Sequence, residues 1–172
     1  MECSISQKVE CPRFRYTASL LTEASRTALI AFLALAAGFT WQTIKTVLIP
    51  VASPDRLVAE LRLAQIGALL LSLAGGAYIG FAASPASEMN PGAGADIALA
   101  IGFFLIAATT LVRDPRQALT ILALAFAGHA LVDVAHRPGL LPAGIAPRWY
   151  SIGCAVLDVY IGALCYFPIL RR

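Results

Sequence analysis

The chain has 172 residues, of which 59% are hydrophobic and 13% are charged, with a formal net charge of +3. A mean hydropathy of +0.76 argues against a water-soluble globular domain. The thirteen Lys and Arg residues are spread along the chain and form no basic patch of the kind that binds nucleic acid. The composition predicts an integral membrane protein.

The apolar segments predict an all-α, polytopic integral membrane protein with five transmembrane helices. A spanning helix needs roughly 20 mostly apolar residues. Five such windows, separated by polar or Pro/Gly-rich breaks, cover about residues 27–49, 63–83, 95–112, 117–136 and 150–170. Residues 1–26 are predicted to be a polar amino-terminal tail that lies partly at the membrane interface, and residues 27–172 to be the transmembrane domain.

Pro50 and Pro54 are predicted to end the first helix, because proline lacks an amide donor and restricts the residue before it. The charged residues that follow are predicted to wind into the second helix. Glu60, near that helix end, is interpreted as solvated or capping. Tyr78 is interpreted as a packing or interfacial residue.

The second helix carries Ser72, Gly76 and Gly80 at four-residue intervals. Small residues at this spacing allow helix backbones to approach closely in lipid. We expect this face to pack within the protein in preference to self-dimerisation. Together with the amino-terminal tail, it is also the surface predicted to bind other membrane subunits.

The fourth and fifth helices carry most of the side chains suited to metal binding or proton transfer. His129, Asp133 and His136 are spaced i, i+4, i+7 and therefore share one helix face. Ser151, Cys154 and Asp158 have the same spacing on the next helix, in reverse order. If the two helices are antiparallel, His129 should face Asp158, Asp133 should face Cys154, and His136 should face Ser151.

Ionisable groups within a membrane cost several kcal/mol or more unless they are paired, so this arrangement needs a reason. One interpretation is a metal site for Zn or non-haem Fe, with His129, Asp133, His136 and Asp158 as ligands and Cys154 as a further candidate. A second is acid–base catalysis, with His129 as the base and Asp158 fixing its tautomer. A third is purely structural, with His–Asp bonds fixing the helix register.

The segment from His129 to His136, followed by Gly153-Cys154-Ala155-Val156-Leu157-Asp158, resembles a family of small bacterial multi-pass membrane proteins known only as a domain of unknown function. The resemblance extends more loosely over residues 27–170. In that family the position of Val132 is often Trp and that of Arg137 is often His, so this chain departs at both. The resemblance supports the fold, implies a bacterial inner (cytoplasmic) membrane and brings no established activity.

The sequence as a whole therefore predicts a polar His/Asp site between helices four and five. The leading hypothesis is metal-binding or acid–base chemistry on a lipid or small amphiphile. The alternative is a non-enzymatic accessory or structural subunit of a larger membrane complex. Whether the protein is an enzyme stays open at this point.

Overall fold

A computed structural model describes residues 12–83, 93–136 and 146–171. It has five α-helices: α1 (Pro12–Leu48), α2 (Pro54–Ala82), α3 (Ala93–Thr110), α4 (Pro115–Ala135) and α5 (Arg148–Leu170). The described residues are 89% helical and include no strand. The predicted all-α fold and its five helices are confirmed. Residues 1–11 of the predicted tail lie outside the described residues.

Local sequence explains three of the helix boundaries. α1 ends at Leu48, just before Pro50, as predicted. α2 begins with Pro54 in its first turn, and the Ser53 side chain accepts a hydrogen bond from the Asp55 amide at 3.3 Å. Asp114 caps α4 in the same way, accepting from the Arg116 amide at 3.0 Å. Both caps satisfy amide groups that a helix start leaves without partners.

α1 is longer than the apolar pattern indicated. It begins at Pro12, so residues 12–26, which were assigned to the polar tail, continue into the first helix. No proline or glycine interrupts residues 13–37, and nothing in the local sequence therefore stops the helix where the charged residues begin.

Four of the helices are long and apolar enough to cross a membrane: Glu23–Leu48 within α1, and all of α2, α4 and α5. The apolar part of α3, Gly94–Thr110, is shorter. The described part of the chain is thus a polytopic membrane protein. Many large hydrophobic side chains point outward, as expected where the surrounding solvent is lipid.

α2 contacts each of the other helices, and α4 and α5 form the most extensive helix pair. Glycines permit the close approaches. A Cβ atom at Gly162 of α5 would lie 3.2 Å from the carbonyl oxygen of Ala123 in α4. One at Gly75 of α2 would lie 3.3 Å from the carbonyl oxygen of Ala100 in α3, whereas Gly80 has nothing within 4 Å. The tight contact of α2 with α3 therefore runs through Gly75.

The apolar core lies among α2, α3, α4 and α5, with one residue contributed by α1. Its buried members are Phe39, Leu63, Ala64, Ala68, Leu71, Phe103, Ala107, Ala118, Leu119, Leu122, Ala125, Phe126, Ile161 and Cys165.

A buried ion-pair network joins four helices at the end of the bundle where α2 begins. The Arg56 side chain donates to Glu60 Oε1 at 2.7 Å, to the Thr46 carbonyl near the end of α1, and to the Pro168 carbonyl of α5 at 3.2 Å. Arg116 of α4 lies 3.3 Å from the other Glu60 oxygen. Arg56 thus places a positive charge at two helix carboxyl ends, where the helix dipole favours it.

The interpretation of Glu60 as solvated or capping is wrong. Glu60 and Arg56 are each only 2% exposed. Glu60 lies near the start of α2, as predicted, but the ends of α1, α4 and α5 meet around that turn. Helix position alone does not reveal this convergence.

Candidate metal site in the membrane-spanning core

The predicted contact between His129 of α4 and Asp158 of α5 is confirmed. His129 Nδ1 lies 2.7 Å from Asp158 Oδ2. Both side chains are buried within the bundle. An ionised carboxylate only accepts hydrogen bonds, so the Nδ1–H of His129 donates. The aromatic ring of Phe103 packs edge-on against the imidazole, with ring centroids 4.7 Å apart, and restricts its orientation.

Asp133 and Cys154 complete a compact group with this pair. Asp133 Oδ2 lies 3.6 Å from His129 Nδ1, and Cys154 Sγ lies 3.6 Å from Asp158 Oδ2. One ligand atom from each of the four residues lies within 4.8 Å of all the others. We call His129, Asp133, Cys154 and Asp158 the donor cluster. The i, i+4 spacing on each helix places two donors on each side of the α4–α5 contact.

Tyr78 of α2, which was predicted to be a packing or interfacial residue, is buried and also contacts the donor cluster. Its hydroxyl donates a hydrogen bond to Asp133 Oδ1. Its ring also packs edge-on against the His129 ring, with centroids 5.7 Å apart. A single tyrosine on an apolar helix carries no signal of such a role. The packing of α2 against α4 brings it to the donor cluster.

The two carboxylate oxygens of Asp133 differ in their contacts: Oδ1 accepts the hydrogen bond from Tyr78, and Oδ2 accepts none within the described part of the chain. Asp133 Oδ2 is the one buried side-chain oxygen or nitrogen without a hydrogen-bond partner among the described residues. It lies beside His129 Nδ1, whose proton is directed at Asp158 instead. A buried carboxylate oxygen without a partner costs about 1–3 kcal/mol or more. A cation among the four donors would remove that cost.

His136, one of the four predicted metal ligands, lies outside the donor cluster. Its Nδ1 is 2.7 Å from the Val132 carbonyl, and its Nε2 is 2.6 Å from Asp96 Oδ1 in α3. The fourth member of the donor cluster is Cys154, the further candidate ligand. His136 is not a member because it lies at the end of α4, where α3 supplies a carboxylate. Ser151, its predicted partner, lines a cavity with Asp133.

His136 nevertheless remains connected to the site through Tyr78. The two rings are stacked, with centroids 5.8 Å apart and planes inclined by 30°. The His136–Asp96 pair therefore holds one face of the tyrosine whose hydroxyl orients Asp133. This arrangement of outer groups around potential ligands resembles the supporting contacts that orient metal ligands in proteins.

Two cavities reach the donor cluster from different sides. One, of about 330 Å³, lies mainly between α1, α2 and α5 and is lined in part by Cys154 and Asp158. The other, of about 340 Å³, lies between α4 and α5 and includes Asp133 and Ser151. The donor cluster is thus buried, and its side chains also line two cavities that a ligand can enter.

The spacing of the donors suits a four-coordinate ion. Ligands at about 2.0–2.3 Å from a tetrahedral zinc are separated from one another by roughly 3.3–3.7 Å. Two of the six donor separations are 3.6 Å, the one between His129 and Asp158 is 2.7 Å, and all six are at most 4.8 Å. Small shifts of the side chains, with loss of the proton between His129 and Asp158, would be needed to reach the tetrahedral distances.

Fold and site together define an all-α, multi-pass membrane protein with a buried His/Asp/Cys cluster between its helices. In the comparisons with protein families, curated proteins and solved structures, no match to this chain was found. Membership in the family that the sequence resembles stays a prediction.

Proposed function

We propose that this protein binds a divalent metal ion of the zinc class within the membrane, with His129, Asp133, Cys154 and Asp158 as ligands. One observation carries the proposal. Four buried donor atoms lie within 4.8 Å of one another, and one of them, Asp133 Oδ2, has no hydrogen-bond partner among the described residues. Two carboxylates and an imidazole in a low-dielectric region favour a cation.

The donor types favour zinc over non-haem iron. One thiolate, one imidazole and two carboxylate oxygens match the ligands that zinc accepts in four-coordinate sites. The common iron site with two histidines and one carboxylate would need a second imidazole. The other histidine, His136, is engaged with Asp96 and the Val132 carbonyl.

We place the site's activity on a lipid or small amphiphile, because an apolar cavity reaches Asp158 and Cys154. A bound zinc ion would act there as a Lewis acid. Acid–base catalysis is the second candidate, and the 2.7 Å contact between His129 and Asp158 supports it. His129 would be the titrating base, and Asp158 would fix its tautomer. From the family resemblance, we place the protein in a bacterial inner membrane.

Metal analysis of protein purified in detergent tests the proposal. After incubation with zinc and removal of the excess, we expect about one zinc ion per chain in the wild type, since the described residues contain one such cluster. His129→Ala and Cys154→Ala should lose it. Cys165→Ala is the matched control for Cys154→Ala, because it removes a buried cysteine outside the donor cluster and should retain the metal.

Absence of zinc, iron, copper and manganese from the wild type, both as purified and after reconstitution, would refute the proposal. Equal loss of metal from Cys165→Ala and Cys154→Ala would contradict the donor set. Size-exclusion profiles of each variant show whether a loss of metal reflects a loss of folding.

A further inference from the structure

We infer that the cavity between α1, α2 and α5 binds a single-chain amphiphile, whose head-proximal carbons lie beside Cys154 and Asp158. The inference rests on the proposed function, since it names the substrate class of the same site. Four features of the cavity carry it: the chemistry of its wall, its opening, its dimensions and the position of its polar groups.

The wall of the cavity is apolar except at one place. α1 contributes Phe32 and Leu35, and α4 contributes Phe126; α2 supplies the stretch from Leu70 to Ala77. The polar groups come from α5, where Tyr150, Cys154 and Asp158 face the same space. A hydrocarbon chain suits the apolar wall, and a polar or reactive group suits the side of the cavity formed by Tyr150, Cys154 and Asp158.

The cavity opens sideways, towards lipid. Leu73 on its rim is 59% exposed, whereas Asp158 on its inner wall is 2% exposed. A molecule could therefore enter from the hydrocarbon region of the bilayer without crossing water. An amphiphile already dissolved in the membrane is the kind of ligand that reaches such an opening.

The dimensions favour one chain. Along α5 the cavity runs from Tyr150 to Ile161, which corresponds to about 16 Å at a rise of 1.5 Å per residue. A volume of about 330 Å³ over that length leaves a cross-section of roughly 20 Å². This is room for one extended hydrocarbon chain, the number that a fatty acid or lysolipid carries.

The position of the polar groups sets the direction of the chain. α5 begins at Arg148, so Tyr150 lies at the helix start and Ile161 lies deeper in the bundle. A polar head would lie towards Tyr150, and the chain would run past Asp158 to Ile161. Without a metal, the two carboxylates of the donor cluster would repel an anionic head; bound zinc would reduce this negative charge and so weaken the repulsion. Zinc should therefore strengthen the binding of a fatty acid.

Photo-cross-linking in phosphatidylcholine vesicles tests the inference. The probe is palmitic acid with a photoreactive diazirine in its chain, and the labelled residues are located by mass spectrometry. With zinc-loaded protein we expect labelling to concentrate on cavity residues of α5, including Leu157 and Ile161. Removing zinc with a chelator should lower that labelling severalfold.

A matched pair of substitutions on α2 provides the control. Ala77→Phe fills the cavity and should reduce labelling of α5 about tenfold. Leu69→Phe adds a phenyl ring at a side chain that is 69% exposed and outside the cavity, and it should leave the labelling unchanged. Ala77→Phe should also keep its zinc, which shows that the variant is folded.

Labelling spread evenly over the lipid-facing residues, or equal labelling of both variants, would overturn the inference. Equal labelling of the cavity by a two-chain phosphatidylcholine probe would overturn the single-chain assignment. If the protein binds zinc but the cavity is not selectively labelled, the metal proposal stands and this inference is refuted. If the cavity is selectively labelled but the protein binds no metal, both the proposed function and the zinc dependence of amphiphile binding are refuted.

Discussion

Replacing Asp133 by Asn should stabilise the metal-free protein and should reduce the stabilisation that zinc provides. Asparagine keeps an oxygen for the Tyr78 hydroxyl but removes the buried negative charge. In the metal-free protein this charge has no compensating hydrogen bond at Oδ2 among the described residues. The variant should therefore be more stable than the wild type without metal, and it should gain less stability when zinc is added.

The structure gives the size of both effects. An uncompensated buried charge costs about 3–5 kcal/mol and an unpartnered buried amide about 1–3 kcal/mol, so the metal-free variant should gain the difference, about 1–3 kcal/mol. For a chain of this length the melting temperature should rise by about 2–12 °C. Zinc at a hundred times its Kd should stabilise the wild type by about 2.7 kcal/mol. If the variant binds a hundredfold more weakly, the same concentration adds only about 0.4 kcal/mol.

Unfolding by SDS in mixed micelles, followed by circular dichroism with either chelator or zinc, measures the four stabilities. Asp114→Asn is the matched control, because Asp114 is an exposed cap and asparagine caps nearly as well. A metal-free variant that is less stable than the wild type would show that the carboxylate is already compensated. Equal stabilisation of both proteins by zinc would show that Asp133 is not a ligand.

Three further predictions concern neighbouring parts of the molecule. Tyr78→Phe should lower zinc affinity about 10- to 100-fold in a chelator-competition titration, because Asp133 loses its orienting hydrogen bond; unchanged affinity would contradict this role. Glu60→Gln should cost about 3–5 kcal/mol of unfolding free energy in SDS titrations, because it leaves Arg56 buried without its carboxylate, and a cost below about 1 kcal/mol would count against the network. Gly75→Leu should cost about 1–3 kcal/mol by forcing α2 and α3 apart, whereas Gly80→Leu, in open space, should cost less; equal costs would refute the assigned contact.

The contact between His129 and Asp158 could be predicted because it depends only on the helical periodicity and on the register of two consecutive helices. Helical periodicity places each side chain on a face, and consecutive antiparallel helices have a restricted register. The 2.7 Å separation agrees with that simple geometry. The same argument brought Asp133 and Cys154 into one group. Each of these inferences used only two helices that are neighbours in the sequence.

The parts that could not be predicted depend on helices that are distant in the sequence. Tyr78 reaches Asp133 because α2 packs against α4, and His136 meets Asp96 because α3 packs there too. Neither packing arrangement follows from periodicity. In lipid, the apolar face of one helix can pack about equally well against the apolar face of any other helix. Glu60 was misjudged for the same reason. Its burial depends on where the ends of α1, α4 and α5 converge.

The division of charges between α4 and α5 also bears on how the protein enters the membrane. An aspartate at the centre of a membrane helix costs about 2.5–3.5 kcal/mol during translocon-mediated insertion. α5 carries Asp158 at its middle, and its buried partner His129 is on α4. Inserting α5 alone would expose that carboxylate to lipid. Insertion of α4 and α5 together as a helical hairpin pairs the two groups at once, so their close packing favours the hairpin as the unit of biosynthesis.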